Sequence, residues 1–524
     1  MTIDYDPQPR TCRIIDAGSV LAIEDICALA YSEAKFHLPR SPEWRSRLQA
    51  GADGISARVR RGEKIYGINT GYGDTCDRAV PLPLVEALPH NLVRYHGCGL
   101  GELLDAAGSA AVLAVRIASL VKGFSAIRPE LLELLTALLN ERILPCIPAE
   151  GSVGASGDLT PLSYVAAALV GEREVYFEGQ HTSARRALEA RGLRPLTLAP
   201  KEALAIMNGT AVMTALACLA HERARALFEL GCVITAMNVV ALDGLSAHYD
   251  RRLFELKPHP GQVEAAAIIR ELLGSASGRA IQDPYSLRCA PHVLGVLEDC
   301  LRWSRSWLEI ELNSVNDNPL YDPEMGHVMH GGHFYGGHVA LAMDSLKTAC
   351  ASVADLLDRQ LALLLDPQRN RGLPRNLTGM SGDDASVHHG FKAVHIGASA
   401  WAAEALKLTM PATSFSRSTE GHNQDKVSMG TIAARDAIRV LELTEQVSAA
   451  CLLGSTQALA LRSTLEPGFE LNLAPGLQAM RDAVHKVFET VKADRPLEGE
   501  LRGILAEMRR RPSLVSRVLE RTTT

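Results

Sequence analysis

No dense block of lysine and arginine interrupts this 524-residue chain, and 54 basic against 60 acidic residues leave a formal net charge of −6. That balance gives no electrostatic footprint for nucleic acid or an anionic membrane. Cysteine occurs eleven times, an odd count, and never as Cys-x-x-Cys. Reduced thiols in a cytoplasmic protein are expected, not a disulfide framework. Met1 to Arg10 is polar and acidic, without the basic start and apolar run of a signal peptide. No apolar stretch reaches the roughly 18 to 20 uncharged residues of a membrane span. Internal repeats, low-complexity tracts and a His-Glu-x-x-His helix are also missing.

What is present is helical periodicity over most of the length. Apolar residues recur at three- and four-residue spacing through 201–247, 289–313, 337–365, 391–408 and 429–461, with few prolines. The expected class is mainly α, a bundle of long, nearly parallel helices preceded by a mixed, loop-rich N-terminal domain. The expected divisions are 1–200, 201–465 and a charged helical tail at 466–524. Within the first, helices are expected between Glu102 and Glu141, broken by Gly123 and restarted at Pro129, which suits a first helical position. Val175-Tyr176-Phe177 followed by Glu178-Gly179 reads as a small hairpin.

The stretch Gly151-Ser152-Val153-Gly154-Ala155-Ser156-Gly157-Asp158-Leu159-Thr160 is the least explained by packing. One reading is a Gly/Ser turn opening a helix, capped by Ser152 or Ser156, with Asp158 near the positive end of its dipole. A hydrolase elbow of Gly-x-Ser-x-Gly type fails because position 158 is aspartate. A third reading is chemical. If the Gly157 nitrogen attacks the Ala155 carbonyl carbon and two waters leave, one taking the Ser156 hydroxyl, an imidazolone with an exocyclic methylene results. Glycine at the attacking position permits the unusual backbone angles, and serine supplies the hydroxyl that leaves.

Together with Ile65-Tyr66-Gly67-Ile68-Asn69-Thr70-Gly71-Tyr72-Gly73, Met207-Asn208-Gly209-Thr210, Gln282-Asp283-Pro284-Tyr285-Ser286-Leu287-Arg288-Cys289, Asn313-Ser314-Val315-Asn316-Asp317-Asn318-Pro319 and Asn423-Gln424-Asp425, this segment resembles the aromatic amino acid ammonia-lyases and related aminomutases. The resemblance covers nearly the whole chain, with six strings in the family's order. It implies a 4-methylideneimidazole-5-one formed autocatalytically from Ala155, Ser156 and Gly157, and no metal. It also implies a homotetramer whose active sites are shared between subunits, so that the long helices form one core spanning several chains. The substrate it implies is a small aromatic amino acid.

Roles follow from the same resemblance. Tyr66, on a hinged lid spanning Tyr66 to Tyr72, is the expected base for the β-proton, and a phenol, whose ordinary pKa is about 10, needs help to act so. Asn208 and Arg288 hold the carboxylate end, and a planar guanidinium suits a carboxylate with two parallel hydrogen bonds. Tyr285, one turn before Arg288, assists in positioning or proton transfer. Tyr95 and His96 face the ring, and Leu159, Gln282, Phe334, Gln424 and Glu420 complete the substrate contacts. The four histidines between Gly326 and His338 sit among glycines, a poor scaffold for fixed metal geometry.

Ring preference rests on the pair Tyr95-His96, which matches neither the His-Leu of tyrosine lyases, the Phe-Leu of phenylalanine lyases nor the Ser-His of histidine lyases. Two polar groups argue against a purely apolar ring pocket. His96 fits the histidine pattern, yet the glutamate of those enzymes is missing at its matching place beside Asn423-Gln424. The expected order is tyrosine, then histidine, then phenylalanine. An aminomutase, returning ammonia to the β-carbon, is the alternative with the same electrophile. A lyase of the fumarase and aspartase type is discounted, because its Gly-Ser-Ser-x-Met-Pro string is missing.

Overall fold

The computed structural model describes residues 12–274, 278, 281–465 and 473–523. The polar start at Met1 to Arg10 and the division expected at 465/466 lie outside or at the edge of these. The chain is mainly α, and its long helices are Ala211–Ala241, Ala290–Leu312, Gly337–Leu365 and Gly430–Leu465. Each falls within, or within a few residues of, a segment whose periodicity predicts it. Lys392–Lys407 likewise fills 391–408. Ala211–Ala241 is the one described helix long and apolar enough to cross a membrane, but 78% of its most apolar window is buried inside the protein, as in a core helix.

The helix breaks have local causes. Pro42 occupies the first turn of Pro42–Arg60, and the Ser41 side chain accepts from the Trp44 amide at 3.2 Å, a standard cap. Asp105 caps Ala106–Leu120 through the Gly108 amide at 2.7 Å. Beyond that helix Gly123 takes φ +83°, a left-handed value cheap only for glycine, and Pro129 opens the next helix, Pro129–Asn140.

Strands are few and short. Arg13–Asp16 pairs in parallel with Ala34–His37, and Leu100–Leu103 pairs antiparallel with Pro148–Glu150. Glu174–Phe177 and Gln180–Ser183 form the expected hairpin, with φ +50° at Glu178 and +77° at Gly179, the left-handed pair that a two-residue hairpin turn demands. The histidine-rich loop is less irregular than its glycines suggest. His327–Met329 pairs with Leu320–Asp322, and the Asp322 carboxylate accepts from the Glu324 amide at 2.9 Å to shape the turn.

The chain divides into two compact units, each discontinuous in sequence. The first comprises 1–222, 305–344 and 411–435, and the second 223–304, 345–410 and 436–524. In the first, Ala106–Leu120 is buried along nearly its whole length. Fully burying one Leu or Ile stabilises by about 1.5–3 kcal/mol, so such a helix anchors whatever packs on it. In the second, a buried polar chain replaces part of the apolar core. Asn238 Nδ2 donates to Gln360 at 2.9 Å, Ser455 Oγ donates to Asn238 at 2.5 Å, and Gln360 Nε2 donates to Thr235 and to the Ser286 carbonyl, each at 2.9 Å.

Candidate active site

In the first unit the Gly151–Asp158 loop is gripped on two sides. On one side, the Asp158 amide donates to the Gly209 carbonyl at 2.8 Å and the Gly209 amide donates to the Ser156 carbonyl at 3.3 Å. On the other, the Met429 amide donates to the Val153 carbonyl at 3.0 Å. The grip is tight enough to dictate residue type. Gly157 sits at φ +74°, and a Cβ added there would overlap the Gly209 carbonyl. A Cβ on Gly154, at φ +72°, would overlap the Ser428 hydroxyl. The Ser156 side chain lies under Gln424, whose Nε2 donates to its hydroxyl at 3.1 Å.

Asp158 serves a helix other than its own. Neither Ser152 nor Ser156 caps the following helix, Leu159–Leu169, and Asp158, at its cap position, makes no side-chain bond to it. Its Oδ2 instead accepts from the amides of Val212 and Met213 at 2.9 Å each, capping Ala211–Ala241. Thr431 also donates to this carboxylate. Burial pushes the carboxyl up to about 6 against those hydrogen bonds. Asp158 therefore ties the loop to the helix following Asn208 and to the helix starting at Gly430.

Tyr66 lies beside an acidic turn. Its hydroxyl oxygen accepts from the Gly73 amide at 3.0 Å, just past the loop of Tyr66 to Tyr72 expected to form a lid. Gly73 is left-handed at φ +56°, and a Cβ there would overlap the Glu420 carboxylate. Glu420 accepts from the Asp74 amide and reaches both Tyr66 and Tyr95 electrostatically. Burial first, and Glu420 next among the charges, hold the Tyr66 hydroxyl above its usual range, opposed by the Gly73 N–H. Tyr95 is raised by burial and by the same carboxylate.

Glu420 and Gln424 share a tight turn closed by the Thr419 amide donating to the Gln424 carbonyl at 2.9 Å. Inside it Glu420, Gly421 and His422 take φ of +51°, +58° and +68°. Non-glycine residues held there store strain, a frequent mark of functional loops. His96 stacks on Tyr95 with ring centroids 4.4 Å apart, and its Nδ1 lies 3.1 Å from the Leu92 carbonyl. Burial lowers its proton affinity, favouring a neutral ring.

Asn208, Leu159 and Phe334 belong to this unit as well. Asn208 is buried, and its Oδ1 has no hydrogen-bond partner among the described residues. Leu159, half-buried, opens the helix after the loop. Phe334, also half-buried, precedes Gly336, where a Cβ would overlap the Met213 sulfur and meet Thr210 at 3.3 Å. The histidines around it form no grouping of three or more His, Cys, Asp or Glu fit for a metal among the described residues.

Gln282, Tyr285 and Arg288 belong to the second unit. Gln282 is exposed, and Tyr285 is 72% exposed on a one-turn helix, Tyr285–Arg288. The Arg288 guanidinium stacks 4.5 Å above the Tyr285 ring, and its Nε donates to the Asp283 carbonyl at 3.0 Å. Buried side chains hold this short helix from behind. Tyr249 donates to the Leu287 carbonyl at 2.8 Å, Gln360 binds the Ser286 carbonyl, and the Asp283 carboxylate accepts from Arg371 at 3.0 Å and the Leu245 amide at 2.7 Å. Tyr249, Gln360 and Arg371 carry no motif of their own. Only Asp283 lies within a string that stands out in the sequence.

The chain is similar to known proteins over most of its length. The family model for aromatic amino acid lyases matches residues 21–486. The histidine ammonia-lyase of Aromatoleum aromaticum is 40% identical over 450 residues, 84% of each chain. That of Burkholderia cenocepacia is 39% identical, covering 85% of this chain and 88% of its own. Among solved structures, a tyrosine aminomutase from Streptomyces globisporus superposes with a TM-score of 0.88 at 32% identity, covering 97% of this chain and 98% of that one. The histidine ammonia-lyase from Trypanosoma cruzi gives 0.87 at 32% identity, with 97% and 95% covered. With the family match and the relatives in agreement, the chain belongs to the aromatic amino acid lyases and is a carbon–nitrogen lyase.

Proposed function

We propose that the protein eliminates ammonia from an L-aromatic amino acid to give an arylacrylate, with histidine as the first substrate and urocanate as its product. The observation that carries the choice of ring is the identity of the curated relatives, histidine ammonia-lyases at 38–40% identity over most of both chains. It reverses the order drawn from the Tyr95-His96 pair and the glutamate missing beside Asn423-Gln424, which put tyrosine first. The Glu420 carboxylate beside Tyr95 supports it too, as an acceptor for a ring N–H. A second reading, tyrosine as lyase or aminomutase substrate, is favoured by Gln424 standing where a glutamate is lacking and by the likeness to a tyrosine aminomutase. Separate incubation with L-histidine, L-tyrosine and L-phenylalanine at mildly alkaline pH distinguishes them, since urocanate, coumarate and cinnamate absorb differently. Release of a β-amino acid from tyrosine would identify the mutase.

The surroundings of Ala155, Ser156 and Gly157 fit the imidazolone. Gly157 packs where a Cβ would overlap Gly209, and the Asn208 Oδ1 is buried without a partner among the described residues. Once formed, the group supplies an electrophilic methylene, an electron sink that makes the substrate amine a better leaving group. The chain's own residues do the rest. Tyr66 takes the β-proton, Asn208 steadies the carboxylate end, and Gln424 borders the Ser156 position. Tyr285 and Arg288 act in this scheme from a neighbouring subunit of a cytoplasmic homotetramer. Exposed Tyr285, Val296 and Trp303 on the second unit, 72%, 60% and 36% accessible, support a surface that a second copy covers.

Arg288 offers its two terminal nitrogens to the substrate carboxylate, while its inner nitrogen is held by Asp283. A charge-assisted hydrogen bond contributes about 1.5–3 kcal/mol. Replacing Arg288 by lysine should therefore raise KM roughly 10- to 150-fold, with a smaller change in kcat. Steady-state kinetics in saturating and limiting substrate check this, and an unchanged KM would remove Arg288 from the carboxylate site.

The pH dependence follows from Glu420. An anion beside Tyr66 disfavours the phenolate, so activity should climb with pH as the phenol loses its proton. Glu420→Gln removes that charge and makes the phenol easier to ionise. The acid limb of kcat/KM should then move to lower pH. A limb that stays in place, or moves up, would mean that Tyr66 is not the group titrating.

A further inference from the structure

Behind the Gly151–Asp158 loop lies a charged side chain that the proposed reaction does not use. Arg116, on Ala106–Leu120, is 0% exposed, and its NH1 donates to the Asn316 carbonyl at 2.9 Å. Its Nε and NH2 have no partner among the described residues. The nearby carboxylates are already engaged. Asp317 takes the buried Lys201 ammonium at 2.5 Å, and Asp158 takes the amides of Val212 and Met213 and the Thr431 hydroxyl. Leaving a buried guanidinium with unfilled donors is destabilising, which calls for a compensating role.

The packing order points to one. Gly209 lies directly against the guanidinium, because a Cβ on Gly209 would overlap both Arg116 NH1 and the Asn316 carbonyl. On its other side Gly209 meets Gly157, where an added Cβ would overlap the Gly209 carbonyl. A buried, cationic side chain therefore backs one peptide, and that peptide backs the residue whose nitrogen must move onto Ala155. The Gly209 amide and carbonyl are at the same time bonded to the Ser156 carbonyl and the Asp158 amide. Holding Gly209 fixed from behind removes the direction in which Gly157 would relax.

We propose that Arg116 is a positioning residue for ring closure at Ala155, Ser156 and Gly157, acting through the Gly209 backbone. The proposal rests on the reading that this tripeptide cyclises. In the step, a bond forms from the Gly157 nitrogen to the Ala155 carbonyl carbon. The Ala155 oxygen leaves as water with the amide hydrogens of Gly157 and Ser156, and the Ser156 hydroxyl leaves as water with its α-hydrogen. No oxidant or reductant enters. Effective molarity for such an intramolecular attack depends steeply on the approach geometry, which is the quantity that Arg116 controls.

The test is the mass of the proteolytic peptide carrying residues 151–158, measured on folded protein isolated by size exclusion and checked by circular dichroism. Wild type should show a two-water deficit. Folded Arg116→Met should carry the closed ring in a fraction at least tenfold smaller, with Arg116→Lys, which keeps the charge but not the planar fork, in between. If Arg116→Met is not recovered folded, Arg116→Gln replaces it with the same expectation. A folded Met or Gln variant with an undiminished deficit would overturn the role of Arg116. Wild type without any deficit would overturn the cyclisation reading itself, a distinct outcome.

Discussion

Ser156→Ala should abolish turnover, by roughly a thousandfold or more, while leaving the fold intact. Alanine has no hydroxyl to eliminate, so the exocyclic methylene cannot form whatever the backbone does. The structural consequence is small. The side-chain bond at uncyclised Ser156 is the 3.1 Å contact from Gln424, worth about 1 kcal/mol net, and ring closure removes that hydroxyl from the wild type as well. The loop keeps its backbone bonds to Gly209 and Met429 and its Asp158 tie to Ala211–Ala241. Thermal melting within a few degrees of wild type, together with the loss of turnover and of the two-water deficit, is the expected pattern. Activity within tenfold of wild type would mean that Ser156 is an ordinary turn residue.

Tyr66→Phe carries the second largest effect, because a positioned general base contributes typically 10²–10⁴-fold. The variant removes only an oxygen. The Gly73 amide loses its 3.0 Å acceptor, a local cost of about 1–3 kcal/mol, while the Glu420 turn keeps its own closure by Thr419 and Gln424. The expected result is a kcat lower by roughly a hundredfold to ten-thousandfold, KM close to wild type, and an unchanged peptide deficit at 151–158. That combination separates the base from the electrophile. A kcat within threefold of wild type would assign proton abstraction to another group.

The helical framework is readable from periodicity and punctuation. The spacing through 337–365 predicts a helix that is found at Gly337–Leu365, and Gly123 and Pro129 mark a break that is found between two helices. Glu178-Gly179 predicts the hairpin turn because only a few residue pairs take two left-handed angles readily. Such signals are local, and their causes lie within a few residues of each other.

The site is legible in a different way, through strings that resemble a family. Gln424 and Ser156 stand in separate strings, and their direct contact is a tertiary fact no spacing encodes. What the sequence hides are pairings at long range. Asp158 stands at the start of one helix and caps a different one. Lys201, at the head of a helical pattern, is a buried left-handed residue at φ +83° that neutralises Asp317. Arg116 reads as one polar residue on an apolar helix. Its meaning appears only when Gly209 is seen against it. Substrate order is unreadable for a related reason, since Tyr95 and His96 show two polar side chains in sequence but not what they face in the fold.

The most direct test of the account is simultaneous quantification of ammonia and arylacrylate when the purified protein is given L-histidine. Ammonia and urocanate should accumulate in equal amounts, with no product from Ser156→Ala protein. Failure to release ammonia from histidine, tyrosine or phenylalanine, in protein whose 151–158 peptide lacks two waters, would contradict the assignment as an ammonia-lyase.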